Sequence, residues 1–187
     1  MKKLILFLVI IPAISLGQIS KKDSTWLPLK YFIDKWVGDG GGEPGHGKYE
    51  RTYQFILNNN FIEIKNKSTY PPTDKNPKGE VHEDIGYFSF DKNIKKFKLR
   101  QFHIESFVTE YILDSISVDS KTLVFTSETL ENLPKGWKAR EIYQLISENE
   151  LLETFEIAEP DKDFQTYSIV KLVRQEIARK IFDKLKN

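Results

Sequence analysis

The chain has 187 residues, with 28 lysines and arginines against 27 aspartates and glutamates, and it contains no cysteine. This near balance of charge argues against a strongly basic nucleic-acid-binding protein, and the lack of cysteine argues against a disulfide scaffold, a thiol enzyme or a cysteine-ligated zinc module. The length suits one domain, and a hydrophobic fraction of 40% is ordinary for a folded protein. Composition therefore indicates a single globular domain and identifies no reaction.

Residues 1–17 have the features of a removable signal peptide. A short positive start precedes an apolar run over residues 4–11, and small residues stand before the expected cleavage point after Gly17. The alternative is a membrane anchor, but a spanning helix needs about 20 apolar residues, and this stretch is shorter and contains Pro12. We therefore expect a secreted or periplasmic protein with no stable membrane insertion. Removal of two lysines lowers the net charge from +1 to −1, so we expect no nucleic-acid partner.

After residue 36 the apolar residues alternate with a period of two, and turn residues recur about every ten positions, which is typical of a sandwich or barrel. The pattern predicts ten strands, over residues 36–40, 49–57, 61–69, 81–90, 96–104, 107–115, 122–128, 138–146, 151–158 and 164–174. Most links are short, so consecutive strands should be antiparallel neighbours, and closure removes unpaired edges. The predicted fold is all-β, with a barrel domain over residues 18–174 built as an up-and-down meander.

Helical segments are expected on both sides of the strands. Residues 26–35 place Leu29, Phe32 and Ile33 on one side, where the segment can plug an open end of a barrel. Residues 175–187 show an amphipathic helical pattern with a basic polar side. We favour packing of this C-terminal helix across the barrel wall, and a helix for a membrane surface or a partner is the alternative.

Two imperfect nucleotide-binding motifs occur in the glycine-rich residues 38–48. Gly40, Gly42 and Gly45 match a dinucleotide fingerprint, but an alternating strand pattern follows them where a helix is required. The segment also nearly matches a P-loop, but Tyr49 stands in the place of the magnesium-binding serine or threonine. We interpret the segment as a flexible connection between the first two strands.

Several short segments resemble the calycin group of β-barrels. Trp-Val-Gly-Asp-Gly at residues 36–40 and Gly-Lys-Tyr-Glu at residues 47–50 open the meander, and residues 85–88 and 102–108 are also similar. Over residues 26–174 the chain is most similar to the ten-stranded barrels of the fatty-acid-binding-protein type and to the nitrobindin-like haem-binding β-barrels. The resemblance implies a small-ligand cavity inside the barrel, with haem as one possible cofactor.

The chain departs from the nitrobindin-like barrels at the place of the iron ligand. In those barrels a histidine in the C-terminal part holds the haem iron. Residues 164–174 contain no histidine, and Tyr167 is the only residue there with ligating chemistry. A haem cofactor would need His103 or His82 in its place, so haem binding and the family's nitric-oxide or peroxynitrite chemistry stay open alternatives.

Alternation in the fifth predicted strand indicates which side chains face the barrel interior. Lys96, Lys98 and Arg100 share one face, which must be outside, so the odd-numbered residues from Phe97 to Glu105 point inward. The short preceding hairpin pairs these odd positions with even positions of the fourth strand. The apolar members of both sets then cluster near the hairpin turn, and the polar members gather at the far end.

The same alternation predicts an interior that contains many ionisable or polar residues, namely Arg51, His82, Asp84, Gln101, His103, Glu105, Glu141 and Glu153. Buried charges are costly unless they are paired or hydrated, so a solid core does not need them. We interpret them as lining a water-containing cavity in which Arg51 meets a ligand carboxylate, and solvated residues at the rims are the alternative. The candidate ligand-binding residues are Arg51, Tyr53, His82, Asp84, Phe88, Gln101, His103, Glu105, Tyr143 and Phe155.

His82, Asp84, His103 and Glu105 permit two further uses. As cross-strand neighbours they can converge on a single metal ion, or a His/Asp pair can act as a general base with its orienting carboxylate. No hydrolase motif accompanies them. The favoured function is an exported barrel that holds a small hydrophobic or amphipathic molecule. The alternatives are a haem protein, a cavity enzyme using His/Asp chemistry, and a secreted interaction module with a filled core.

Overall fold

The structure is a computed structural model that describes residues 24–74, 76–119 and 121–178. Its strands are β1 (Asp34–Gly42), β2 (Gly47–Ile56), β3 (Phe61–Tyr70), β4 (Glu80–Asp91), β5 (Lys96–His103), β6 (Val108–Ile116), β7 (Thr122–Glu131), β8 (Lys138–Ser147), β9 (Glu150–Ala158) and β10 (Gln165–Arg174). A 3₁₀ helix over Leu27–Phe32 precedes β1, and residues 175–178 are helical. The expected signal peptide and most of the expected C-terminal helix lie outside the described residues. Within those residues, no helix combines the length and the hydropathy that a membrane crossing requires.

The ten strands form a closed antiparallel barrel. Each strand pairs with its neighbours in sequence, and β1 also pairs with β10, from Trp36 opposite Arg174 to Gly42 opposite Ser168. Closure therefore gives every strand a hydrogen-bonded neighbour on both sides, which is how a barrel avoids exposed edges. The predicted ten-stranded up-and-down barrel is confirmed, with strand boundaries that differ from the predicted ones by a few residues.

The connection between the first two strands is shorter than the glycine-rich segment suggests. The strand predicted over residues 36–40 extends to Gly42, and only residues 43–46 form the turn to β2. A Cβ atom at Gly38 would overlap the backbone oxygen of Lys171, and one at Gly40 would lie 2.5 Å from the backbone oxygen of Ile169. Glycine is needed here because β1 approaches β10 too closely to leave room for a side chain. The cluster thus serves the closure of the barrel.

The segment before β1 closes one end of the barrel, here called the plugged end. Phe32 is fully buried, and its ring centroid lies 5.0 Å from those of Tyr53 and Tyr143 and 5.6 Å from that of Phe88. The indole Nε1 of Trp36 donates a hydrogen bond of 2.7 Å to the Phe32 carbonyl, which ties the segment to β1. The predicted plug is confirmed, and it completes an aromatic core that fills this end of the barrel.

The register between β4 and β5 is the one that alternation predicts. The cross-strand partners, starting from the hairpin, are Phe90 with Phe97, Phe88 with Leu99, Gly86 with Gln101, and Asp84 with His103. The apolar pairs therefore lie at the plugged end and the polar pairs lie at the opposite end. We call this opposite end, where β2 and β4 begin and β3 and β5 finish, the distal end.

Candidate functional site

A buried layer of polar side chains lies between the aromatic core and the distal end. Its members come from β2, β3, β5, β8 and β9, and each is between 3% and 8% exposed. Strict alternation along these strands places the members inside, because their neighbours in sequence point outward. We define the polar layer as Arg51, Asn66, Gln101, Glu141 and Glu153.

Arg51 already has a carboxylate partner inside the barrel. Its Nε donates to Oε2 of Glu153 at 3.1 Å, and its Nη2 donates to Oε1 of the same carboxylate at 3.3 Å. Its Nη1 donates to the backbone oxygens of Glu50 and Lys67 at 3.1 and 3.3 Å. Burial lowers the pKa of Arg51, but Glu153, Tyr53 and Asp84 together raise it above its ordinary value, so the guanidinium stays charged. A ligand carboxylate would have to displace Glu153, which weakens the predicted role of Arg51 as its receptor.

Glu141 is a second buried carboxyl group in the same layer. Burial raises its pKa well above the ordinary value, and the Glu153 carboxylate adds to this effect, while Arg51 opposes it. One guanidinium cannot neutralise two carboxylates in a buried site, so Glu141 is held as the neutral acid. Asp84 at the distal end also raises the pKa of Glu141, so charges at the distal end act on the polar layer.

Three oxygen atoms of the layer are buried without a hydrogen-bond partner among the described residues. They are Oδ1 of Asn66, Oε1 of Gln101 and Oε2 of Glu141. A buried acceptor that lacks a donor costs about 1–3 kcal/mol, and such groups are uncommon in folded proteins. The layer thus leaves two amide oxygens without a donor beside the carboxyl group of Glu141, which can give up its proton to pair with a cation, so the chemical group that suits the layer is a hydrogen-bond donor or a cation.

A histidine and an aspartate form a close pair at the distal end. Nδ1 of His103 lies 2.6 Å from Oδ1 of Asp84, and the two side chains are 15% and 20% exposed. The other ring nitrogen, Nε2 of His103, is buried and has no hydrogen-bond partner in the described part of the chain. The ring stacks on Phe107 with a centroid distance of 4.1 Å, which fixes its plane.

A second histidine lies beside this pair and touches two further carboxylates. Nε2 of His82 lies 2.8 Å from Oε1 of Glu80, and Nδ1 of His82 contacts Oε1 of Glu105. We call Glu80, His82, Asp84, His103 and Glu105 together the distal cluster. Of the four residues expected to converge, Asp84, His103 and Glu105 each bring one ligand atom within 4.8 Å of the others, and His82 joins them through Glu105. Their use as a metal site or as a general base stays a prediction.

Aromatic side chains surround the distal end. The hydroxyl groups of Tyr49 and Tyr70 lie 3.0 Å apart, and the Tyr70 ring meets the His82 ring edge to face at 5.6 Å. Phe155 and Tyr167 form a second edge-to-face pair at 5.6 Å. Burial, followed by the hydrogen bond with Tyr49, raises the pKa of Tyr70, so its hydroxyl stays protonated. The distal end therefore offers both apolar ring surfaces and tyrosine hydroxyl groups beside the polar layer.

A groove of about 490 Å³ crosses the outer face of β2 to β5 and reaches Asp84 and His103. Apolar side chains that point outward, Ile85, Phe102 and Ile104, line part of it and are 46–58% exposed. Sequence reasoning missed this groove, although the same alternation that turns Lys98 outward also turns Phe102 and Ile104 outward.

The ten predicted site residues fall into distinct places. Three of them pack in the core around Phe32, namely Tyr53, Phe88 and Tyr143. Two belong to the polar layer, Arg51 and Gln101, and one lies among the distal aromatic rings, Phe155. The other four form most of the distal cluster, namely His82, Asp84, His103 and Glu105. Contact of any of them with a ligand stays a prediction. Asn66 is absent from the predicted set, although β3 alternates Lys65 and Lys67 outward and so turns Asn66 inward.

Haem held in the manner that the nitrobindin resemblance implies does not fit these residues. β10 supplies no histidine, and Tyr167 is 37% exposed beside an irregularity in the pairing of β10 with β9. At the plugged end, the aromatic core around Phe32 occupies the space inside the barrel. The ion-paired polar layer follows it, so a flat macrocycle would have to displace packed side chains. No step is therefore assigned to haem.

Comparison with solved structures shows the fold of the chain. Rv2717c from M. tuberculosis, known from a crystal structure, is 13% identical with a TM-score of 0.60, and the match covers 84% of this chain and 99% of that one. A de novo designed fluorescence-activating β-barrel is 12% identical with a TM-score of 0.41, over 78% and 95% of the two chains. No protein-family model matches the sequence, and no curated protein matches it. The resemblance to a calycin-like barrel is confirmed at the level of architecture.

Proposed function

We propose that the protein binds a small amphipathic molecule at the distal end of the barrel, with a cationic or hydrogen-bond-donating group of the ligand on the polar layer. The observation that carries this proposal is the pair of buried, unpartnered amide oxygens on Asn66 and Gln101 beside the unpartnered Oε2 of the Glu141 carboxyl group. A donor group of a ligand offsets the cost of burying them. The ligand's polar end therefore has the opposite character to the carboxylate that the sequence suggested.

The charge balance of the layer supports a cation in particular. Arg51 donates its carboxylate hydrogen bonds to Glu153, so Glu141 has no basic partner of its own among the described residues. Apolar residues of similar volume often stabilise a core about as well as a buried ion pair does, so stability alone does not explain this arrangement. A bound ammonium or amidinium group would give Glu141 a charge partner and allow it to ionise.

The aromatic rings of the distal end suit the apolar part of such a ligand. Tyr70, Phe155 and Tyr167 are partly exposed side chains there, whereas Phe32, Tyr53 and Phe88 at the plugged end are buried. Partly exposed rings can exchange contact with solvent for contact with a ligand, and their faces also attract cations. Small ligands are usually held in this way, by apolar walls with a few polar groups that fix orientation.

Export to a secreted or periplasmic location is part of the proposal and is supported by the sequence of residues 1–17. The molecular mass of the protein isolated from its own host tests this directly. A mass that corresponds to a chain beginning at Gln18 supports export, and a mass that includes residues 1–17 contradicts it.

Binding is tested with two probes of matched shape and opposite charge. Native mass spectrometry of the protein from its own host first asks whether a molecule is retained. Calorimetric titration then compares 2-phenylethylamine with 3-phenylpropanoate. We expect the amine to bind and the carboxylate to bind more weakly or not at all. Stronger binding of the carboxylate, or no retained molecule together with no binding of either probe, contradicts the proposal and favours an interaction module.

A variant pair identifies the receiving group. Glu141→Gln keeps the shape of the neutral acid but cannot ionise, so the amine should lose about tenfold or more in affinity, the value of one charge-assisted hydrogen bond. Glu159→Gln makes the same chemical change on an exposed residue after β9 and should leave the affinity unchanged. Equal affinities for both variants would remove Glu141 from the site.

A further inference from the structure

Three side chains of the distal cluster offer ligand atoms at short mutual distances. One ligand atom from each of Asp84, His103 and Glu105 lies within 4.8 Å of the others. We propose that these three residues bind a divalent transition-metal ion, with His82 as a positioning residue. The proposal is independent of ligand binding by the polar layer, because it uses none of the five residues of that layer.

The donor set indicates the class of metal. One imidazole nitrogen and two carboxylate oxygens suit zinc and the neighbouring divalent ions such as cobalt, whereas calcium and magnesium prefer sites made of oxygen alone. Three protein ligands leave coordination positions open for water or another molecule. This is the pattern of an exchangeable or reactive metal site and differs from a closed structural site.

The geometry needs only a small contraction of the cluster. Metal–ligand distances of about 2.1 Å bring the ligand atoms to about 3.0–3.4 Å from one another. His103 is held by β5 and by stacking on Phe107, so it forms the fixed side of the site. Glu105 follows the end of β5 and its side chain is 37% exposed, so rotation about its side-chain bonds can close the remaining distance.

The charges around the cluster favour a cation. Glu80, Asp84 and Glu105 supply three carboxylates, and over the described ranges their ion-pair partners are His82 and His103, with no lysine or arginine within 4.0 Å. A divalent ion placed between the three carboxylates balances their charge, and Nε2 of His103 is a buried nitrogen without a hydrogen-bond partner in the described residues.

His82 is placed to orient one of the metal ligands. It contacts the Glu105 carboxylate through Nδ1 and is itself held by Glu80 through Nε2. Groups that hydrogen-bond to metal-bound carboxylates fix their direction, and their removal typically costs about 10–100-fold in metal affinity. The side chains of Glu80 and Glu105 are 52% and 37% exposed, so the ion can reach the cluster from solvent.

The test is a titration of the untagged protein with Co²⁺, followed by the visible absorption of the bound ion and by calorimetry with Zn²⁺. We expect one saturable site in the wild type. His103→Ala and Glu105→Gln should abolish saturable binding, and His82→Gln should weaken it by about 10–100-fold. His46→Gln is the matched control, because His46 is exposed in the turn between β1 and β2 and lies outside the cluster.

Two outcomes overturn the proposal. One is the lack of saturable binding by the wild type, and the other is binding that survives in His103→Ala or in Glu105→Gln. Circular dichroism of each variant shows whether it is folded, and if His103→Ala does not fold, the exposed Glu105→Gln decides the matter. Because the readout is the metal itself, failure here leaves the amine titration of the polar layer unaffected.

Discussion

The neutral state of Glu141 predicts a pH dependence of stability that one substitution should remove. Burial and the neighbouring Glu153 raise the pKa of Glu141 in the folded protein above the ordinary value of 4.5. Above that pH the unfolded chain releases this proton while the folded chain keeps it, so the folded state binds more protons. Stability from this group is therefore fully present below the ordinary pKa and is lost as the pH rises toward the raised, folded value.

The size of the effect follows from linkage. One proton held only by the folded state changes the free energy of unfolding by about 1.4 kcal/mol per pH unit. Between about pH 5 and about pH 7 the loss reaches at most about 2.5 kcal/mol, the limit for a folded carboxyl that keeps its proton over the whole range, since at the lower pH the unfolded carboxyl is still partly protonated. This is a large part of the roughly 5–15 kcal/mol that stabilises a typical domain.

Glu141→Gln mimics the neutral acid at every pH and should lack this slope. Urea denaturation of the wild type and the variant at both pH values gives the difference between their unfolding free energies. We expect that difference to shift in favour of the variant, by up to about 2.5 kcal/mol, between the two pH values. The exposed Glu159→Gln should follow the wild type. Parallel curves for the wild type and Glu141→Gln would refute the assignment of a buried neutral acid.

Three further predictions concern the fold that positions the site. Phe32→Ala should destabilise the protein by about 3–5 kcal/mol in urea denaturation, whereas the same truncation of the exposed Leu27 should cost little, and equal effects would contradict the plug. Arg51→Met should cost about 3–5 kcal/mol because it leaves the Glu153 carboxylate buried and unpaired, and adding Glu153→Met should recover most of that loss. Gly38→Ala should abolish amide-exchange protection along β1 and β10, and unchanged protection would contradict a close approach at the barrel closure.

The fold could be predicted from the sequence to an unusual depth because strand alternation is a local property. Lys96, Lys98 and Arg100 identify the outer face of β5, and this parity determines which residues of β4 and β5 face inward. The short hairpin then determines their register. The outer-face parity and the register together place the apolar pairs near the hairpin and the Asp84–His103 pair at the other end of the two strands.

Contacts that cross the barrel could not be predicted in the same way. Alternation places Arg51 and Glu153 inside, but they are 102 residues apart, and nothing local indicates that they pair with each other. The neutral state of Glu141 depends on its distance from that pair, so it also becomes visible only in the folded barrel. The role of Gly38 could not be predicted for a similar reason. A strand that closely approaches another strand and a flexible loop are both rich in glycine, so the sequence does not distinguish them.

Proton release on ligand binding tests the account's central claim most directly. If Glu141 is neutral in the free protein and becomes the partner of a bound cation, binding of 2-phenylethylamine near neutral pH should release about one proton per ligand. Calorimetric titration in buffers with different heats of ionisation measures this number. Release of about one proton by the wild type and none by Glu141→Gln is the predicted result. Amine binding without proton release, or equal release by both proteins, would contradict it.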